Sequence, residues 1–309
     1  MLRRFFASSK PINFVIIVIT LVVFLVVYFL STWGVEPVGT FILGKLGMIL
    51  GFLLTLGALD FVVKKNGLTR KNSYAVLVFT FSTLALPSIF SHASIIVAGL
   101  LIILALRRIF SLRSKTDTHK KIFDAAFWIL IASLFYFPSL LFLPLLYFAI
   151  IFYCPGNYRN WLMPFASLIV VVLLVITYAL YTGGIGVFVQ SYIAFPTYDF
   201  TSYSAPRLLI PLSFFLALYL WTVLKYLALL NAASQRHKPA YVLVIITSLV
   251  ALVIAVGFAP VRDGSELYFL FAPLSILCSR YVERGKSKWF NELLLWMIIA
   301  LPLALVIFL

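Results

Sequence analysis

The stretch Phe258-Ala-Pro-Val-Arg-Asp-Gly-Ser-Glu-Leu-Tyr-Phe-Leu-Phe-Ala-Pro273 sets Arg262, Asp263 and Glu266 between two long apolar runs. Charges confined to a short break in hydrophobic sequence mark a point where a chain surfaces from a membrane. The rest of the chain repeats the pattern. Of its 309 residues, 64% are hydrophobic and 11% charged, with a mean hydropathy of +1.12. A soluble domain carries roughly twice as much charge. A transmembrane β-barrel would show short alternating segments in place of continuous runs. The expected fold is therefore all-α, a polytopic transmembrane helical bundle forming one integral membrane domain over residues 1–309. The first apolar run follows Arg3, Arg4 and Lys10, as in a signal peptide. It is long and bulky and no small-residue cleavage site follows it, so it reads as a retained helix.

Cutting the sequence at its polar breaks and prolines predicts about eleven helices, near residues 11–31, 40–63, 74–90, 93–106, 122–137, 140–154, 162–181, 208–230, 241–259, 267–279 and 292–309. The run at 93–106 is short for a span and gains length by continuing through Arg107 and Arg108 with those side chains snorkelling. With the N-terminus inside, all of the 24 Lys and Arg residues except Lys45, Arg207, Lys225 and Arg262 fall on inner segments. Inner loops of membrane proteins collect Lys and Arg, which orients this chain N-terminus inside and C-terminus outside. The same bias accounts for the formal net charge of +15 without a nucleic-acid partner. Cys154 and Cys278 map to inner helix ends, where a structural disulfide is not expected. His92 maps outside, His119 and His237 inside, so no spacing suits zinc or a multi-histidine iron site.

The inner acids, Asp60, Asp117, Asp124, Glu283 and Glu292, balance basic loops. Asp60 and Asp124 each sit about one turn from lysines and are expected in salt bridges or as snorkelled carboxylates. The outer set is Glu36, Asp199, Asp263 and Glu266, with the bases Arg207 and Arg262 and with His92 at a neighbouring turn. Glu36 lies in the first outer loop, where partial burial would raise its pKa and suit it to general-base work. A carboxylate there also suits a divalent cation; the plain alternative is a solvated loop acid. Arg262 and Glu266 are four apart, close enough on a helix to pair. An arginine fork is equally suited to phosphate, and Gly264 between the two permits a tight turn. Lys45 lies below the outer surface, where a charge is costly unless it is paired, snorkels or faces a wet cavity; a cavity-lining place is expected. Segment 182–207 reads as an interfacial amphipathic helix followed by the aromatic loop Pro196-Thr-Tyr-Asp-Phe-Thr-Ser-Tyr203, whose rings anchor at headgroups or stack on sugars. Asp199 and Arg207 bracket this segment in the arrangement of an acid and a phosphate-binding base. All these outer residues are expected to share one pocket.

An acid in the first outer loop, a long outer segment at 183–195 and bases near the outer surface resemble the layout of GT-C type glycosyltransferases, which use polyprenyl-phosphate sugars. The resemblance implies a catalytic carboxylate at Glu36, interfacial helices at 183–195 and a lipid phosphate held by Arg207, Arg262 or Lys45. More closely, Asn66, Leu68, Thr69, Asn72 and Tyr74, followed by Arg262, Gly264, Glu266 and Pro273, resemble an uncharacterised family of compact bacterial polytopic inner-membrane proteins. That likeness implies the bacterial inner (cytoplasmic) membrane. Some members are called carotene-cleaving monooxygenases, but that chemistry needs several histidines on one iron, and the three here are split across the membrane.

The expected function is transfer of a sugar from a polyprenyl-phosphate donor on the outer face. Glu36 would be catalytic, and Arg262, Glu266, Asp263, Arg207, Asp199, Lys45 and His92 would bind substrate. Two alternatives stay open. A non-catalytic subunit of an inner-membrane assembly needs only an apolar helix face and basic loops. A flippase or transporter for a lipid-linked substrate needs polar residues through the membrane middle, where these helices are nearly pure Leu, Ile, Val and Phe.

Overall fold

In lipid, a run of Leu, Ile, Val and Phe has no water to bond its backbone, and a helix satisfies every N–H and C=O within its own segment. The fold, given by a computed structural model, accordingly consists of helices, with no strand among the described residues. These are residues 2–31, 38–182, 184, 186, 192, 195–231, 234, 235, 237–285 and 287–308. The helices are α1 (Leu2–Phe6), α2 (Pro11–Ser31), α3 (Val38–Lys65), α4 (Tyr74–Leu84), α5 (Ala93–Ser111), α6 (Thr118–Phe135), α7 (Leu143–Tyr153), α8 (Tyr158–Thr182), α9 (Pro206–Asn231), α10 (Lys238–Val253), α11 (Tyr268–Arg284) and α12 (Lys288–Phe308). Among the described residues, seven helical stretches are long and apolar enough to cross a membrane: Pro11–Leu30, Ile42–Lys65, Ala93–Ser114, Tyr158–Tyr181, Pro206–Leu230, Lys238–Phe258 and Lys288–Leu305.

Several boundaries differ from expectation for local reasons. The helix expected to reach residue 90 stops at Leu84, because Pro87 drives Leu86 out of the helical region, to φ −126° and ψ 79°. A 3₁₀ segment, Pro87–Ser91, completes the passage. At the end of α6 Tyr136 is extended, at φ −145° and ψ 99°, and a 3₁₀ segment carrying Pro138, Phe137–Phe142, leads into α7. The helix beginning at Ala93 runs through Arg107 and Arg108 to Ser111. α10 ends in a π-helical turn, Ile254–Phe258.

The centre of the bundle is α11. It buries every residue except Tyr281, Glu283 and Arg284, and the antiparallel α4 beside it is buried throughout. Rings of Phe52, Phe79, Phe90 and Tyr268 interlock there with centroids 5.4 to 6.3 Å apart. α5 comes up against α11 at Gly99, where an added Cβ would fall on the Tyr268 ring. The long helices α2, α8 and α9 instead expose large apolar side chains such as Val23, Ile169, Leu173 and Leu224. An apolar outer surface of this kind faces lipid. One end of the bundle carries the basic loops; there the backbone N–H groups of Leu2 and Arg3 donate to Glu292 at 2.6 and 3.3 Å. The opposite, far end carries the 3₁₀ segments Pro87–Ser91, Phe137–Phe142, Thr201–Ser204 and Ser265–Leu267.

Candidate functional site

The last carbonyls of a helix lack intrahelical partners. At the far end of α10 they are met by Arg262, which is 5% exposed. Its Nη1 donates to the Ala255 carbonyl at 2.9 Å, its Nη2 to Val256 at 2.7 Å and its Nε to Thr197 at 2.6 Å. The Phe200 ring covers the guanidinium at 4.4 Å. Arg262 therefore does not pair with Glu266 and does not offer an open fork to phosphate. The expected pairing required a helix across 262–266. Instead Gly264 turns the chain at φ +92°, and only Ser265–Leu267 is helical, as a 3₁₀ turn. A Cβ on Gly264 would meet Leu208 at 3.2 Å and Leu86 at 3.3 Å.

On the other side of this turn, His92 Nε2 lies 2.7 Å from Asp263 Oδ2, with the two side chains 33% and 31% exposed. Asp263 Oδ1 accepts the Ser265 N–H at 3.0 Å and the Ser265 hydroxyl at 2.5 Å. Glu266 is buried beneath. Its Oε2 accepts the Gly264 N–H at 3.0 Å, and its Oε1 accepts the Tyr203 hydroxyl. Burial pushes the Glu266 carboxyl up to about 7, against the lowering effect of its hydrogen bonds. Tyr136 has a buried hydroxyl without a partner among the described residues. Its phenol is held well above its usual range by burial first and then by the Glu266 charge. His92, Ser94, Tyr136, Tyr192, Pro260 and Ser265 line a cavity of about 180 Å³. Chemically, this arrangement offers an aspartate-oriented imidazole at an opening, set above a turn that a buried carboxyl holds in place.

Of the residues singled out in the sequence, His92, Asp263 and Glu266 come together, with Arg262 directed away from them into the α10 terminus. Asp199, Arg207 and Lys45 stand apart from this cavity's lining. Asp199 is exposed and closes its own turn, accepting the Thr201 N–H at 3.0 Å and hydroxyl at 2.7 Å; these bonds hold its carboxyl below the usual range. Arg207 is exposed in the first turn of α9. Lys45, expected to line a cavity, is half-buried on α3 with its ammonium 5.2 Å from the Phe29 ring of α2. Glu36 and most of 183–194 lie outside the described residues. Sequence reasoning passed over Tyr203, Tyr136 and Ser265. The first was visible in the aromatic loop and the second immediately before a predicted proline turn.

The basic end has a matching arrangement. Arg280, 7% exposed, donates through Nη2 to the Gly67 carbonyl at 3.0 Å and the Tyr241 hydroxyl at 2.8 Å, and through Nε to the Leu68 carbonyl. Its Nη1 meets Glu283 at 3.1 Å, whose other oxygen accepts the Arg70 N–H at 2.7 Å and Asn72 Nδ2 at 2.5 Å. α11 is thus fastened near both ends by a buried arginine bonded to backbone carbonyls. The residues at 66–74 and 262–273 that carried the family likeness surround these two fastenings. Asp60 pairs with Lys64 at 2.6 Å, and Asp124 pairs with Arg108 at 2.8 Å rather than with a neighbouring lysine. Cys154 and Cys278 are free thiols. Among the described residues no three His, Cys, Asp or Glu side chains gather as metal ligands would.

No curated protein and no solved structure matches the chain. A family model matches it from residue 1 to 309, and the chain accordingly belongs to DUF6427, a family of unknown function.

Proposed function

We propose that this protein is a membrane enzyme whose His92–Asp263 pair acts as a general base on a substrate carried by bilayer lipid. The best-suited reaction is transfer of a sugar from a polyprenyl-phosphate donor. The lysine and arginine bias directs the basic end inward. On that reading α2 to α12 make eleven passes of a bacterial inner membrane, from an inner N-terminus to an outer C-terminus, and the cavity opens outside.

The observation that carries the reading is the 2.7 Å contact between His92 and Asp263 at the cavity of about 180 Å³. A carboxylate that orients an imidazole makes it a competent proton acceptor. An acceptor hydroxyl in the cavity would lose its proton to His92 as its oxygen bonds to the anomeric carbon. The bond from that carbon to the phosphate oxygen breaks, and polyprenyl phosphate leaves with the electron pair. Ser265 fixes Asp263, and Glu266 positions the turn through the Gly264 N–H. Because the Arg262 donors are committed, the lipid phosphate would be met outside the cavity's lining, by the exposed Arg207.

One observation favours a different reading, a non-catalytic subunit of a membrane assembly. Arg262, Glu266, Arg280 and Glu283 are all engaged in holding α11, which is what a scaffold needs. The two readings separate in cells carrying His92→Gln or Asp263→Asn. The enzyme reading expects unused polyprenyl-phosphate sugar to accumulate at wild-type protein levels. Unchanged lipid-linked sugar and glycan profiles in both variants would return the chain to the subunit reading.

A further inference from the structure

A second cavity, of about 390 Å³, lies between α9 and α11 toward the basic end. Its walls include Trp221, Tyr226, Leu229 and Leu277, and its cations include Lys225 and Arg284; among the described residues no carboxylate lines it. Lys225 belongs to the apolar stretch Pro206–Leu230 and is exposed there, its ammonium 5.2 Å from the Trp221 ring. Among the described residues no carboxylate pairs with it. A cation at that depth is costly unless it reaches an anion or the headgroup layer. Arg284, the last residue of α11, is exposed beside the same space. Tyr226 is 2% exposed, and its hydroxyl has no hydrogen-bond partner among the described residues. An acceptor oxygen entering the cavity would supply the missing partner.

We infer that this cavity holds one anionic phospholipid. Its phosphate sits between Lys225 and Arg284, and an acyl chain lies along Trp221, Leu229 and Leu277. Paired cations above apolar walls between membrane helices match a phosphate joined to a hydrocarbon chain, whereas free phosphate would leave the walls unused. The inference is independent of the chemistry at His92.

Purified full-length protein in detergent, given equal amounts of phosphatidylglycerol and phosphatidylcholine with identical chains, tests it by native mass spectrometry. The expected result is about tenfold preferential retention of phosphatidylglycerol. Lys225→Gln with Arg284→Gln lowers that retention about tenfold. Ala228→Trp also lowers it, because the exposed Ala228 lines the cavity and the indole fills its mouth without removing charge. A control pair, Lys115→Gln with Lys120→Gln, leaves retention unchanged. Equal retention of the two lipids overturns the inference. So does full retention in Ala228→Trp, or an equal loss in the control pair, since either would mean attraction by net charge alone. Displacement by glycerol phosphate at the lipid's own concentration also overturns it, by revealing a headgroup-only site.

Discussion

Arg262 and Glu266 sit in one turn but answer to different physics. Arg262 is a buried cation bonded to three carbonyls, and removing it strands those acceptors. Hydrogen bonds to charged groups and stranded buried acceptors together set a cost of roughly 3 kcal/mol for Arg262→Met. Thermal unfolding in detergent should show it, and a variant as stable as wild type would remove Arg262 as the cap of α10. Glu266 has its carboxyl raised from 4.5 to about 7 by burial. The folded state therefore holds a proton that the unfolded chain releases in that window. The stabilisation is fully present below pH 4.5 and is lost as pH rises through about 7. The span corresponds to roughly 3 kcal/mol. Melting temperature should fall between pH 5 and 8, and Glu266→Gln should flatten that slope; an equal slope in both proteins would assign it to another group. Both residues stood out in the sequence as charges in an apolar setting. Their partners did not, because backbone carbonyls carry no signature in sequence and Tyr203 arrives from 63 residues away.

At the level of elements, hydropathy identified the helices that face lipid and blurred those that do not. α2 and α8 contact the surroundings along their length and must be apolar, so their boundaries are clear in the sequence. α4 and α11 are shielded by other helices, so they tolerate Ser82, Thr83, Ser275 and Ser279 in buried positions. Prolines at 87 and 138 marked the breaks after α4 and α6, but the 3₁₀ continuations that follow them have no distinct pattern. The approach of α5 to α11 rests on Gly99. Tyr268 is fully enclosed and has no room to move aside, so Gly99→Ala is expected to cost about 1–3 kcal/mol through overpacking. Gly99→Ala combined with Tyr268→Leu should recover most of the loss. A single variant with unchanged melting temperature would mean the two helices separate easily.

For the whole molecule, the two ends differ in charge, and on the proposed reading that asymmetry sets its direction in the membrane. In a chain with Cys154 and Cys278 replaced, Asp199→Cys should react with a membrane-impermeant thiol reagent on intact spheroplasts. Lys115→Cys should react only after permeabilisation. The reverse pattern would turn the His92 cavity inward and end the outer-face account. The gathering of His92, Asp263 and Glu266 depends on α4, α5 and α11 meeting at one end, a property of packing that spacing along the chain does not encode. The separation of Arg207, Asp199 and Lys45 from that cavity has the same origin.

The most direct measurement is sugar transfer in proteoliposomes supplied with a polyprenyl-phosphate sugar and a hydroxyl acceptor, comparing wild type with Asp263→Asn at matched melting temperature. Loss of an oriented general base predicts a rate lower by about a hundredfold or more, with donor binding retained. Equal rates in the two proteins, or no transfer by wild type with any polyprenyl-phosphate sugar, would contradict the account.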